Sequence, residues 1–318
     1  MILPYKFVKL TCITGKFAQC SWSINMICND CPRKCGVERT EDKSGGVCAS
    51  PAAVRISRAA PHFGEEPCIS GERGSGTVFF TGCNLKCVFC QNREISRGGT
   101  GKTISAERLR DIFLELQDKG VHNINLVTAA HFVPEVTKAL SMAELKIPVA
   151  WNSSGYESLE SLKRLEGLVQ IYMPDLKYLD SELARRYSLA PDYPEAATAA
   201  IDEMYRQVGD FVLDDEDMLK SGVLIRHLIL PDAEENSRRV IDYVAEHFPG
   251  DKVLFSLMSQ FTPMPGTEKF PELQKRITKE VNDSLCEYMA ERGIEYGFWQ
   301  EPDSATDEMI PKFDNTGV

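Results

Sequence analysis

The chain has 318 residues, 43% of them hydrophobic and 26% charged, with 47 acidic against 36 basic side chains and a formal net charge of −11. That length supports one large domain or two ordinary ones with a sizeable core, and the composition excludes disordered, collagenous and coiled-coil chains. A soluble cytoplasmic protein without membrane or nucleic-acid partners is expected. No run approaches the ~18 uncharged apolar residues of a membrane span, the first residues lack a secretory-leader pattern, and the acidic balance disfavours non-specific nucleic-acid binding.

In chain order, residues 1–75 read as a loop-rich, cysteine-rich extension with frequent turn formers such as Cys31-Pro32, Ser44-Gly45-Gly46 and Gly74. It holds too little periodic apolar sequence to fold alone, so a metal and packing on the rest of the chain are expected to order it. The eleven cysteines are an odd number, and ten of them lie between Cys12 and Cys90. Clustered thiols in a chain without a leader favour metal binding over a disulfide framework. Cys28-x2-Cys31-Pro-Arg-Lys-Cys35-x12-Cys48 is a four-thiolate set that fits either a closed zinc site or a second [4Fe–4S] cluster. Cys12, Cys20, Cys68 and Cys286 stand outside ligand spacing and read as buried thiols.

From Thr77 onward, short apolar strands alternate with longer helices. Thr77–Thr81 reads as a strand, Ser105 as the N-cap of a helix through Gln117, Asn123–Thr128 as a strand and Val133–Ala143 as a helix. Ile147–Trp151, Leu168–Met173, Gly222–Leu230 and Val253–Leu257 continue the strands. Glu157–Glu166, Asp180–Gly209 (broken near Pro191 and Pro194), Asn236–His247 and Leu273–Arg292 continue the helices. Glu295–Trp299 adds a last short strand, and the acidic run Asp214–Asp217 reads as a solvated loop. Six β/α units predict an α/β fold: a partial (β/α)6 TIM-type barrel over 76–300, after the metal-binding extension 1–75 and before a tail over 301–318. A doubly wound sheet is the alternative.

Thr81-Gly-Cys83-Asn-Leu-Lys-Cys87-Val-Phe-Cys90 carries the chemistry. Its three thiols sit in the loop after the first barrel strand, which opens onto the C-terminal face where β/α barrels build their sites. Three thiolates hold three irons of a [4Fe–4S] cluster and leave the fourth iron open. A three-cysteine zinc site completed by a distant ligand is the plainer alternative.

The spacing Cys83-x3-Cys87-x2-Cys90, with Phe89 before the last cysteine, resembles the radical S-adenosylmethionine signature. Asn123–Thr128, Trp151-Asn-Ser-Ser-Gly-Tyr156, Ile171–Lys177, Arg226–Pro231 and Ser256–Gln260 are further similar to uncharacterised iron–sulfur proteins of that superfamily that resemble pyruvate formate-lyase activating enzyme. The likeness runs over roughly residues 25–300. It implies reductive cleavage of S-adenosylmethionine at the open iron, a 5′-deoxyadenosyl radical, and hydrogen abstraction from a substrate. That substrate is a glycine of a glycyl-radical enzyme, another protein or peptide, or a small metabolite, and the electron comes from a donor such as flavodoxin or ferredoxin. Cofactor-binding roles follow for Phe89, Asn125, Asn152, Ser154, Asp175, Lys177, Arg226 and Gln260, with Lys177 facing the methionine carboxylate.

Two departures from the relatives stand out. Where the superfamily has a Gly-Gly-Glu segment, this chain has Asn125-Leu-Val-Thr128-Ala-Ala-His131, so side chains of Asn125, Thr128 and His131 are the substitutes, or His131 is an acid/base or a helix N-terminal residue. Glycyl-radical activases carry extra clusters after the catalytic motif, whereas the extra cysteines here precede it. Two rival readings keep no catalysis: an iron–sulfur electron-transfer or redox-sensing protein, and a zinc-knuckle interaction protein.

Overall fold

The computed structural model describes residues 26–250, 252–300 and 311–318. Cys12 and Cys20 lie outside the described residues, as does most of the expected tail. A small hairpin of β1 (Met26–Cys28) and β2 (Val37–Arg39) opens the described chain. The main sheet then takes β3 (Val54–His62), β4 (Ser75–Phe80) and β5 (Lys102–Ile104). It continues through β6 (Ile124–Val127), β7 (Val149–Ser153), β8 (Ile171–Pro174), β9 (Val212–Leu213), β10 (Leu219–Leu228), β11 (Leu254–Met258) and β12 (Gly297–Trp299).

The spatial order β12-β11-β10-β8-β7-β6-β4-β3-β5 settles the topology. From β4 to β12 every neighbouring pair on this path is parallel and follows chain order. A doubly wound sheet reverses direction at a switch point; this one does not, so the architecture is that of a partial barrel, as expected. β4, β6, β7 and β8 are buried along their whole length, as parallel strands covered on both faces must be. Helices α1 (Pro67–Ser70), α2 (Arg93–Ser96), α3 (Ala106–Asp118), α4 (Val133–Met142) and α5 (Leu159–Lys163) occupy the first half. α6 (Ser181–Ser188), α7 (Tyr193–Val208), α8 (Glu234–His247) and α9 (Lys279–Glu291) follow. Their starts are chemically marked: the Ser105, Ser158, Asp180 and Thr278 side chains each accept a backbone N–H of the first turn.

Three regions differ from the sequence reading. β3 is an antiparallel addition beside β4, and β5 an antiparallel addition beside β3, so the main sheet draws on residues that the reading placed before 76. The alternation Val54-Arg-Ile56-Ser-Arg is a strand signal, but its partners lie 20 or more residues away. The helix expected over Leu273–Arg292 is α-helical only at Lys279–Glu291, because Pro271 opens a separate 3-10 turn and Lys275 is extended. Residues 311–318 dock on β3: Ala59 N donates to Thr316 O, Asn315 N to Ser57 O, and Phe313 lies edge-on to Phe79 at 5.4 Å.

Candidate functional site

A cavity of about 230 Å³ opens at the C-terminal ends of the parallel strands. Each strand delivers one part of its lining: Cys83, Cys87 and Cys90 follow β4, Thr128 follows β6, Asn152 lies near the end of β7 and Ser154 just past it. Asp175 and Lys177 follow β8, Arg226 lies on β10, and Gln260 follows β11. The strand ends are pinned from behind by Tyr193 of α7, whose hydroxyl accepts from Lys177 N (2.9 Å) and lies 2.8 Å from Ser154 O and 2.5 Å from Asp175 O.

Charge in the cavity is internally balanced. Lys177 Nζ lies 2.7 Å from Asp175 Oδ2, and Arg226 Nε donates to Asp175 Oδ1 at 3.0 Å. Arg226 also donates through Nη1 to Glu65 Oε2 (3.0 Å) and through Nη2 to Asn152 Oδ1 (2.6 Å). Glu65 Oε1 in turn accepts from Asn125 (3.0 Å) and Asn152 (3.1 Å). Burial alone would raise Asp175, but Arg226 and then Lys177 pull its carboxyl below the ordinary value. Burial works against the charged Lys177 too, yet Asp175 and Cys87 lift it above its usual value. Glu66, beside this network, is driven up by burial against the pull of Arg226.

The donor set fits a [4Fe–4S] cluster. Cys83, Cys87 and Cys90 face one cavity, and polar hydrogens point at their sulfurs: Leu85 N donates to Cys83 Sγ (3.4 Å) and Ser188 Oγ to Cys87 Sγ (3.1 Å). Burial first, then the neighbouring thiols, pushes Cys90 up to about 12 and raises Cys83; bound iron removes such protons outright. Gly82 lets the loop leave β4 at φ +93°, where a Cβ would lie 2.2 Å from Ser50 Oγ and 2.8 Å from Cys48 O. Among the described residues no three Cys, His, Asp or Glu donors converge on one ion position, and the cysteines of a cubane ligate different irons. Phe89 lines the cavity and is held edge-on by Tyr178, Tyr187 and Phe261 at 6.2–6.4 Å.

Asn125 and His131 stand apart from this lining. Asn125 is fully buried in β6 and reaches Glu65, while its Oδ1 has no partner among the described residues. His131 is buried in the turn before α4, its Nε2 2.9 Å from Thr81 O, and burial lowers its pKa to about 3. It is a neutral brace for the strand end rather than an acid/base facing the cavity. Sequence reasoning missed Glu65, which the β3–β4 connection carries into the barrel. The adjacent Glu65-Glu66 before Pro67 is its only sequence signal, and it becomes informative once β3 is recognised as a strand.

Residues 77–213 match the family model described as the Radical SAM superfamily. The uncharacterized protein MJ0674 of Methanocaldococcus jannaschii is 29% identical over 271 residues, 82% of this chain and 73% of that protein. Streptococcus suis SuiB bound to S-adenosylmethionine aligns at 15% identity and a TM-score of 0.45, over 74% of this chain and 49% of SuiB. The FeFe-hydrogenase maturase HydG of Carboxydothermus hydrogenoformans aligns at 16% identity and a TM-score of 0.45, over 74% of this chain and 55% of HydG. The chain thus spans about half the length of these two solved proteins. No helix among the described residues is long and apolar enough to cross a membrane. A domain of the matched type implies a [4Fe–4S] cluster and S-adenosylmethionine as cofactors, with an external reductant. Residues 77–213, which match the Radical SAM superfamily model, include the loop that carries Cys83, Cys87 and Cys90 to the cavity.

Proposed function

We propose that this chain is a radical S-adenosylmethionine oxidoreductase that cleaves the cofactor reductively and abstracts hydrogen from a substrate. When bound, the reduced cluster and S-adenosylmethionine supply a 5′-deoxyadenosyl radical for that abstraction. The observation that carries the reading is the meeting of Cys83, Cys87 and Cys90 with Asn152, Ser154, Asp175, Lys177, Arg226 and Gln260 at one cavity.

The chain's own residues then have distinct tasks. Cys83, Cys87 and Cys90 hold three irons. Lys177 turns from Asp175 to the methionine carboxylate, exchanging one charge-assisted hydrogen bond for another. Asp175 keeps Arg226 as its counter-ion during that exchange, so neither buried charge is stranded. Asn152, held by Glu65 and Arg226, and Ser154 offer polar groups to ribose or carboxylate oxygens. Gln260 faces adenine or ribose, and Phe89 walls the cluster loop from water. A flavodoxin or ferredoxin in the cytoplasm serves as electron donor.

The test is an anaerobic incubation of the iron-reconstituted chain with dithionite and S-adenosylmethionine, reading 5′-deoxyadenosine. The expected result is nucleoside formation that Cys87→Ala abolishes. A fully loaded, reducible cluster that forms none above the protein-free control would overturn the proposal and leave an electron carrier.

A further inference from the structure

Arg39 is the most deeply buried guanidinium among the described residues, with no exposed surface. Its Nη1 points at Cys28 Sγ (3.4 Å) and Cys48 Sγ (3.8 Å), its Nη2 donates to His131 O (2.9 Å), and its Nε has no partner among the described residues. No carboxylate among the described residues forms an ion pair with it. A guanidinium cannot shed its proton to escape this position, and an unpaired buried charge is strongly destabilising. The Phe132 ring also faces it, with its centroid 5.9 Å from the guanidinium carbon, but a ring is no counter-ion, so the negative charge has to come from the thiols facing Arg39.

We propose that Cys28, Cys31, Cys35 and Cys48 bind a thiolate-ligated metal centre whose negative charge is held by Arg39 and which braces the catalytic loop from behind. Loading the site releases a proton from each thiol to solvent and leaves four thiolates on the metal. Four thiolates give a net anion on Zn²⁺ or on an oxidised [4Fe–4S] core, so either charge satisfies Arg39; among the described residues the donors do not converge on one ion position, which a zinc ion would require and a cubane, whose cysteines ligate different irons, does not.

The centre is fastened to the loop of Cys83 by three hydrogen-bonded routes and one close approach. Arg33, between Cys31 and Cys35, donates to Asn84 O at 2.9 Å and to Ser188 O at 2.8 Å, and also meets Leu189 O. Cys48 O lies 2.8 Å from the position a Gly82 Cβ would take. Ser50 Oγ, next to Cys48, reaches Thr81 O at 3.4 Å. Arg39 holds His131, whose ring meets the same Thr81 O.

The test is metal analysis of full-length chains reconstituted with iron, sulfide and zinc, independent of S-adenosylmethionine cleavage. Wild type is expected to hold about four irons plus one zinc, or about eight irons. The Cys83→Ala/Cys87→Ala/Cys90→Ala variant should retain about one zinc or about four irons, and Cys28→Ser/Cys48→Ser should lose only that share. Arg39→Met should release the retained metal to a chelator at least about tenfold faster, one factor of ten corresponding to 1.4 kcal/mol, while Arg39→Lys partly restores it. A wild type with about four irons and no zinc, or a triple variant free of metal, would overturn the assignment. Neither result would touch the reading of Cys83, Cys87 and Cys90, which the nucleoside assay decides.

Discussion

Two sets of thiols, one on the barrel face and one in the extension, each face a buried cation, and the cations are balanced differently. Lys177 beside Cys83, Cys87 and Cys90 already has a carboxylate, Asp175 at 2.7 Å, and that carboxylate has a second cation in Arg226. Arg39 beside Cys28 and Cys48 has sulfur and a carbonyl but no carboxylate ion pair among the described residues. A cation with a built-in partner can trade it for an incoming carboxylate and take it back. A cation without one needs an anion that stays. On the proposals above, the barrel set serves ligands that come and go, and the extension set a permanent centre.

Glu157 shows what a buried charge does when it has neither arrangement. Its carboxylate accepts from Trp151 Nε1 at 3.0 and 2.8 Å, and no cation among the described residues pairs with it. Burial raises its pKa to about 7, against the pull of hydrogen bonds from Ser153 and Trp151, so near neutral pH it can take up a proton. Arginine has no such exit, which is why the surroundings of Arg39 are informative and those of Glu157 are not.

The contrast can be broken in graded ways. The largest effect is expected from Cys87→Ala, which should remove the cluster and bring 5′-deoxyadenosine to the protein-free level, read by chromatography. Asp175→Asn should follow: it leaves Arg226 and Lys177 short of a carboxylate in a buried site and should destabilise the fold by about 3–5 kcal/mol, read from the denaturant midpoint. Lys177→Met should leave the fold nearly intact but weaken S-adenosylmethionine binding. Loss of one charge-assisted hydrogen bond of about 1.5–3 kcal/mol predicts a roughly 10–100-fold rise in Kd by anaerobic calorimetry.

Glu157→Gln sharpens the comparison at its weak end. The folded carboxyl titrates near 7, whereas the unfolded one ionises near 4.3. Its contribution to stability is therefore complete below about pH 4 and is lost as pH rises to about 7. With each tenfold difference in proton affinity between the folded and unfolded carboxyl contributing about 1.4 kcal/mol, wild type should lose on the order of 3–4 kcal/mol between pH 4 and 8 from this group. Glu157→Gln should flatten that slope in thermal melts at several pH values; an unchanged slope would mean that the carboxyl is ionised in the fold.

Much of this was legible in the sequence, for local reasons. Apolar runs such as Ile124–Val127 and helix caps such as Ser105 are encoded by near neighbours, and the spacing of Cys83, Cys87 and Cys90 names its own chemistry. Polar residues at strand ends, Asn152 and Lys177 among them, converge on one cavity because a parallel barrel places all those ends on one face. What escaped depends on distant pairing. β5 is a short edge strand with two exposed residues, so Lys102-Thr-Ile104 has no hydrophobic pattern to read. Glu65 enters the barrel only because β3 pairs with β4, and Arg39 matters only because its strand aims it between two sulfurs. No spacing rule connects Arg39 to His131, 92 residues on.

The most direct test of an open centre set against a closed one is the electron paramagnetic resonance spectrum of the reduced, fully loaded protein, with and without S-adenosylmethionine. The account predicts that the cofactor shifts the signal lost in the Cys83→Ala/Cys87→Ala/Cys90→Ala variant and leaves any signal of the Cys28–Cys48 centre unchanged. A reduced spectrum indifferent to S-adenosylmethionine would contradict it.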